Sequence, residues 1–225
     1  MPGDQNAKLV HICFHGIGTP SPGLNAADER YFVGRDLFLA VLDDVFGKRH
    51  VELSFDDGYA SDIEIALPAV TERGLSARFF PVAGHLGRPG YLDAGAVRQL
   101  ASSGMTVGSH GMWHRSWRRM APPEHHEELV HARRILEAAA GTAIDSAACP
   151  RGAYDRRVLA SLREHGYVTV FTSDRRRGCT GAWLQPRYSV RCDDTIHTVR
   201  DGILSGPRLA ERARGAAASR VKAWR

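Results

Sequence analysis

Short apolar runs alternate along this chain with longer amphipathic stretches, and no other feature limits its fold so strongly. Lys8–His15 (KLVHICFH) reads as a buried strand followed by a Gly/Pro loop, and Ala27–Phe46 spaces Tyr31, Leu37, Leu42 and Val45 helically. His50–Phe55 alternates as a strand. Ser61–Arg73 reads as a helix despite Pro68, with Gly74 as its C-cap. Further strands are predicted over Ala77–Val82, Met105–Ser109, Ala143–Cys149, Tyr167–Phe171 and Tyr188–Val190. Helices are predicted over Asp93–Ser102, Pro122–Ala140 and Asp155–His165. Alternating β and α units predict an α/β fold on a mostly parallel sheet. About six to eight such units in 225 residues suit a compact (β/α) barrel better than an open sheet.

Composition narrows the function classes. Hydrophobic residues make up 43% and charged residues 24%, a globular balance that excludes disorder as the main state. Thirty Lys+Arg against 25 Asp+Glu give +5, which permits a polyanionic partner without indicating one, so no nucleic acid is expected. The four cysteines, Cys13, Cys149, Cys179 and Cys192, form no CxxC pair and are expected to be reduced and mostly buried. The opening MPGDQNAKLV lacks a basic start followed by an apolar run, and no transmembrane stretch is present in the sequence; a cytoplasmic protein is the expectation. Residues 1–206 are expected to form one domain, with an Ala/Arg-rich tail over 207–225. The sequence does not indicate an oligomeric state.

In an α/β barrel, functional groups collect at the C-terminal ends of strands. Three polar clusters fall there. The first, Ser54-Phe55-Asp56-Asp57-Gly58, sets adjacent carboxylates at the close of an apolar strand, which is costly unless a cation or hydrogen bonds compensate them. Asp-Asp-Gly is also a common turn sequence. The second, Ser109-His110-Gly111-Met112-Trp113-His114, spaces two histidines four apart, so that one helical turn would set both imidazoles on one face as ligands of one transition metal. With a strand-end Asp it supplies a His₂Asp set with a coordination position open for water. The third, Cys149-Pro150-Arg151-Gly152-Ala153-Tyr154, is a Pro-x-Gly turn whose backbone N–H groups can serve an oxyanion or simply close the turn.

Together and in this order, FDDG, SHxxxH and the Pro-x-Gly-Ala-Tyr-Asp turn resemble the polysaccharide deacetylase family, the NodB-homology carbohydrate esterases, over about residues 50–175. The resemblance implies a distorted (β/α) barrel of about seven strands and hydrolytic removal of acetyl groups from an N-acetylated glycan or glycan precursor. It implies Asp57, His110 and His114 as ligands of a divalent metal, commonly zinc, with Asp56 as general base. Arg151, Gly152 and Tyr154 become substrate or oxyanion residues, although relatives often carry Tyr where Arg151 stands. The C-terminal Leu-x-x-His that supplies the acid in many relatives has no good match, and His197 is a poor substitute. Cys13-Phe14-His15-Gly16 instead resembles the Tyr-His of the poly-N-acetylglucosamine deacetylase branch, which makes His15 the preferred acid. Asp174 and Arg187 are candidates for orienting a catalytic group, Arg187 by steadying Asp56 or binding substrate. Trp113 and Trp117 either floor a sugar pocket or pack. Two other functions are compatible with these residues: hydrolysis of a small non-sugar C–N bond, as in allantoinase- or imidase-like relatives, and glycan binding without catalysis.

Overall fold

The computed structural model describes residues 8–20 and 26–204. β1 (Lys8–Phe14) leads through α1 (Ala26–Glu29) and α2 (Arg35–Val45) to β2 (Val51–Asp57). From there α3 (Leu67–Glu72), β3 (Ala77–Pro81), α4 (Ala94–Ser102) and β4 (Thr106–Val107) follow. α5 (Pro122–His125) and α6 (Ala132–Ala140) precede β5 (Ser146–Ala148), and α7 (Arg156–Glu164) precedes β6 (Thr169–Thr172). β7 (Gly178–Cys179), β8 (Leu184–Pro186), β9 (Tyr188–Ser189) and α8 (Ile196–Val199) come last. The expected tail over 207–225, and the boundary before it, lie outside the described residues.

One sheet has the order β4-β3-β2-β1-β7 with β9 also on β1, and a second has the order β5-β6-β8. Every pair is parallel except β1 with β7. The two sheets approach each other at two seams. At one, Ser109 bridges Ala147, and Ser109 N–H donates to Ser146 O at 2.9 Å. At the other, Arg187 alone separates β8 from β9. The strands therefore follow the course of a distorted barrel, although their pairing does not close it into one continuous sheet. The described residues hold nine strands rather than about seven, because β7 and β8 arise where the sequence shows no apolar run.

Strand parity decides what faces the site. Phe14 pairs with Phe55 and Phe55 with Phe79, and all three join the main core with Phe38, Val41 and Leu42 of α2. The Phe55 and Phe79 rings stack at 4.7 Å. Truncating a fully buried Phe such as Phe55 to Ala is expected to cost about 3–5 kcal/mol. Neighbours of opposite parity, Cys13, Ser54, Asp56 and Phe80, face the other way, where Phe80 packs with Ala148 and Phe171. The apolar face of each strand thus anchors it to the helices, and the alternate face is left for chemistry.

Three local readings are corrected. The stretch Ala27–Phe46 is not one helix: Val33 bridges Ile17, and Gly34 is extended before α2 begins. The helix containing Pro68 passes through a π-helical turn, Asp62–Ala66, and Pro68 falls in the first turn of α3, where its missing N–H costs little. Of the four free cysteines, Cys13 and Cys149 are buried but Cys179 and Cys192 are exposed. No helix of the described residues is long and apolar enough to cross a membrane.

Candidate active site

Asp56 and Asp57 end β2, and in a regular strand their side chains would point to opposite faces. Asp57 instead adopts φ +75°, a left-handed conformation uncommon for any residue but Gly, Asn or Asp, so both carboxylates reach one cavity. Gly58 follows at φ +74°, and a Cβ there would come within 2.8 Å of Pro81 Cβ; the turn requires glycine.

His110 and His114 do not sit on a helical turn. They lie in a loop after β4 that is folded back by left-handed backbone at Gly111 (φ +77°) and His114 (φ +53°). The two rings lie 5.3 Å apart. Nδ1–H of His110 donates to Ala148 O at 2.9 Å, which leaves the Nε2 lone pair facing Asp57. Nε2 of His110 and Nε2 of His114 stand 3.4 Å and 3.3 Å from Oδ1 of Asp57.

This donor set fits a divalent cation. Oδ1 of Asp57 is buried without a hydrogen-bond partner among the described residues. Burial pushes the Asp57 carboxyl up to about 6, the mark of a carboxylate short of compensating charge. Burial also lowers both imidazoles, His110 to about 3, so each is neutral as a ligand must be. One oxygen and two nitrogens of these residues lie within 4.8 Å of one another.

Asp56 has a different environment. Arg187, wholly buried, donates from its two terminal nitrogens to Oδ1 at 2.7 Å and Oδ2 at 2.6 Å, and also to Ser54 Oγ at 3.0 Å. Phe80 and Phe171 flank the guanidinium at 5.4 and 5.6 Å. Burial works against the charged form of Asp56, but the guanidinium prevails and holds the carboxyl well below its usual range. Two adjacent carboxylates are thereby driven apart: Arg187 favours the ionised form of Asp56, whereas Asp57 has no such partner.

His15 follows β1 into the same cavity of 170 Å³. A ring nitrogen of His15, an oxygen of Asp56 and Sγ of Cys13 lie within 4.8 Å of one another. The His15 ring stacks on Tyr31 at 4.6 Å, and burial lowers its pKa against the pull of Asp57 and Asp56. Of the third cluster, Arg151 lines the cavity with φ +58°. Gly152 N–H closes the turn on Cys149 O at 3.0 Å, and the Tyr154 hydroxyl donates to Asp174 at 2.8 Å, so neither lines the cavity. Asp174 also accepts from Thr172 at 2.9 Å, tying the turn after β5 to the end of β6. Trp117 is wholly buried, whereas Trp113 is 42% exposed beside His114. A larger cavity, 530 Å³, opens at the N-terminal ends of β2 and β3 and brings together no such donor set.

Glu128 is a site residue that the sequence conceals, as are Arg30 and Tyr31, which line the cavity. Glu128 is fully buried, accepts Met112 N–H at 2.7 Å and the Trp117 indole N–H at 3.2 Å, and pairs with Arg115 at 2.8 Å. It thereby clamps the loop that carries both histidines. Its one sequence signal is a carboxylate in register with Ala132 and Leu136 on the buried face of the following helix.

Residues 43–170, more than half of the chain, match the family described as polysaccharide deacetylase. The Bacillus subtilis protein YxkH is 22% identical over 124 residues, which is 55% of this chain but only 44% of that protein. A chitooligosaccharide deacetylase of Bradyrhizobium is 27% identical over 166 residues, covering 72% of this chain and 71% of the relative. Among solved structures, the Streptococcus pyogenes deacetylase PplD, determined in complex with acetate, superposes with a TM-score of 0.75 at 17% identity, covering 86% of this chain and 97% of that one. The extent of the family match and the shared fold lead to one conclusion: the chain belongs to the polysaccharide deacetylase family.

Proposed function

We propose that this chain is a metal-dependent hydrolase that removes acetyl groups from N-acetylated sugars. The observation that carries the reading is the convergence of Asp57 Oδ1 with Nε2 of His110 and His114, beside an ionised Asp56 and His15 in one cavity. Asp57, His110 and His114 are the proposed ligands, and a divalent cation held there, zinc by preference, supplies Lewis-acid polarisation of the acetamide and a more acidic water.

Asp56 is the proposed base. Arg187 keeps it charged at neutral pH and so available to take a proton from water, and the two-pronged pairing fixes its orientation. His15 is the proposed acid. Since burial holds the imidazole neutral at rest, it gains its proton during turnover, and Asp56 is the nearby source. The departing amine then takes that proton from His15, because an amine anion is a very poor leaving group. Arg151, the one residue of its turn that lines the cavity, is proposed to contact the acetamide oxygen.

Acetate release from N-acetylglucosamine oligomers, set against ring opening of cyclic ureides and imides, tests the reading. Acetate release by the metal-loaded protein supports it. Turnover of the ureides or imides alone would move the substrate to a small non-sugar C–N bond. Glycan binding with neither turnover nor stoichiometric metal would make the chain a binding module.

A further inference from the structure

Three guanidinium groups in and near the cavity have no carboxylate ion pair among the described residues. Arg30 and Arg151 line the cavity together with the carboxylate-bearing Asp28, and Arg191 reaches the same Tyr31 ring as Arg30. The guanidinium carbons of Arg30 and Arg191 lie 5.2 and 5.7 Å from the Tyr31 ring, the ring that stacks on His15. Cys192 N–H donates to Arg30 O at 2.9 Å, which ties the two arginine-bearing segments together. Nε of Arg191 is buried and has no hydrogen-bond partner.

A neutral acetamide, contacted by Arg151, gives no reason for Arg30 and Arg191. Deeper in the site, Arg187 and Asp56 neutralise each other, so the remaining positive charge lies with Arg30, Arg151 and Arg191, set against the carboxylate of Asp28. Like charges around one ring repel, and an orphaned buried N–H is costly; both penalties are relieved by an anion docked between the arginines. A planar carboxylate is satisfied by one guanidinium fork, whereas two forks on separate segments suit the oxygens of a tetrahedral phosphate.

We propose that the substrate is a phosphate-bearing N-acetylated sugar, whose phosphate is held by Arg30 and Arg191 across Tyr31 while the acetamide reaches His15 and the Asp/His centre. This rests on the deacetylase reading and names its substrate class. The phosphate has two possible sources, an ester on the glycan itself or a diphosphate linking the sugar to a carrier.

The test compares kcat/KM for acetate release from four substrates: a neutral N-acetylglucosamine trimer, the same trimer with a reducing-end phosphate, one with a reducing-end carboxylate, and a nucleoside-diphosphate-linked N-acetylglucosamine. At low salt the phosphorylated trimer is expected to exceed the neutral one by about tenfold or more, and the carboxylate by less. The preference should shrink with added salt. In Arg30→Gln, an exposed position, and in Arg191→Gln it should fall to within about twofold, while Arg191→Lys keeps part of it. A diphosphate-linked substrate better than the phosphorylated trimer assigns a carrier; the reverse order assigns an ester on the glycan. Equal kcat/KM for neutral and phosphorylated trimers, or a preference that survives both Gln variants, overturns the phosphate site and leaves the deacetylase reading standing. If the metal-loaded enzyme releases acetate from none of them, that reading fails instead. The phosphate site is then decided by calorimetry with N-acetylglucosamine 1-phosphate, whose binding must weaken by about tenfold in Arg30→Gln.

Discussion

Replacing Arg187 with Met tests how the site keeps one carboxylate ionised. The change removes two hydrogen bonds, at 2.7 and 2.6 Å, from Asp56, a residue 1% exposed, and a third from Ser54. Removing one partner of a buried ion pair costs about 3–5 kcal/mol, since the remaining charge is left uncompensated. At about 2–4 °C per kcal/mol for a domain of this size, the melting temperature should fall by about 6–20 °C at pH 7. The pH dependence has a definite sign. In the native protein the Asp56 pKa is depressed, so its contribution is present above the ordinary carboxylate range and is lost as pH falls through the folded value. In the variant the largest influence, burial, is opposed only by the weaker pull of His110 and His15, so the pKa rises, and the variant is penalised most at neutral pH and recovers as Asp56 takes a proton. Urea denaturation at pH 7 and near pH 4 should therefore show a stability gap that narrows toward acid, and the acid limb of kcat/KM should move to higher pH. A loss under about 1 kcal/mol at pH 7, or a gap independent of pH, would refute the reasoning.

Other substitutions separate the remaining roles. Asp56→Asn should keep the metal but lose about 10²–10⁴-fold in kcat, measured by acetate release alongside metal analysis. His15→Ala should slow amide hydrolysis severely yet spare activated aryl acetates, whose phenolate leaves without protonation; equal losses on both would make His15 structural. Glu128→Gln should weaken metal binding by about 10–100-fold, read by calorimetry, because the loop carrying His110 and His114 loses its charged clamp. Metal affinity of the native protein should decline by about tenfold per pH unit below 6, because the Asp57 carboxyl, raised to about 6 by burial, takes a proton that the cation must displace.

Much of this was legible in the sequence because strand ends announce themselves. The apolar runs before His15, Asp56 and His110 place those residues at one end of a parallel sheet, and the three motifs identify the family. The loop geometry was not legible: histidines four apart suggested a helical turn, whereas left-handed backbone at Gly111 and His114 brings them together. Arg187 was a candidate for steadying Asp56, but spacing along the chain does not show how it crosses between the sheets to do so; the pairing exists only once β8 and β9 separate around it. Glu128 was hidden for a related reason, since a carboxylate in a polar helix looks solvated until the loop it clamps is in place.

The central claim is that Asp57, His110 and His114 hold one catalytic cation. The direct measurement is metal content and zinc-binding calorimetry of the native protein and of His110→Ala, paired with acetate release before and after chelation. The account predicts one equivalent of metal in the native protein, activity lost on chelation and restored by one equivalent of zinc, and neither binding nor activity in a folded His110→Ala. Full activity in chelated protein, or undiminished metal in His110→Ala, would contradict it.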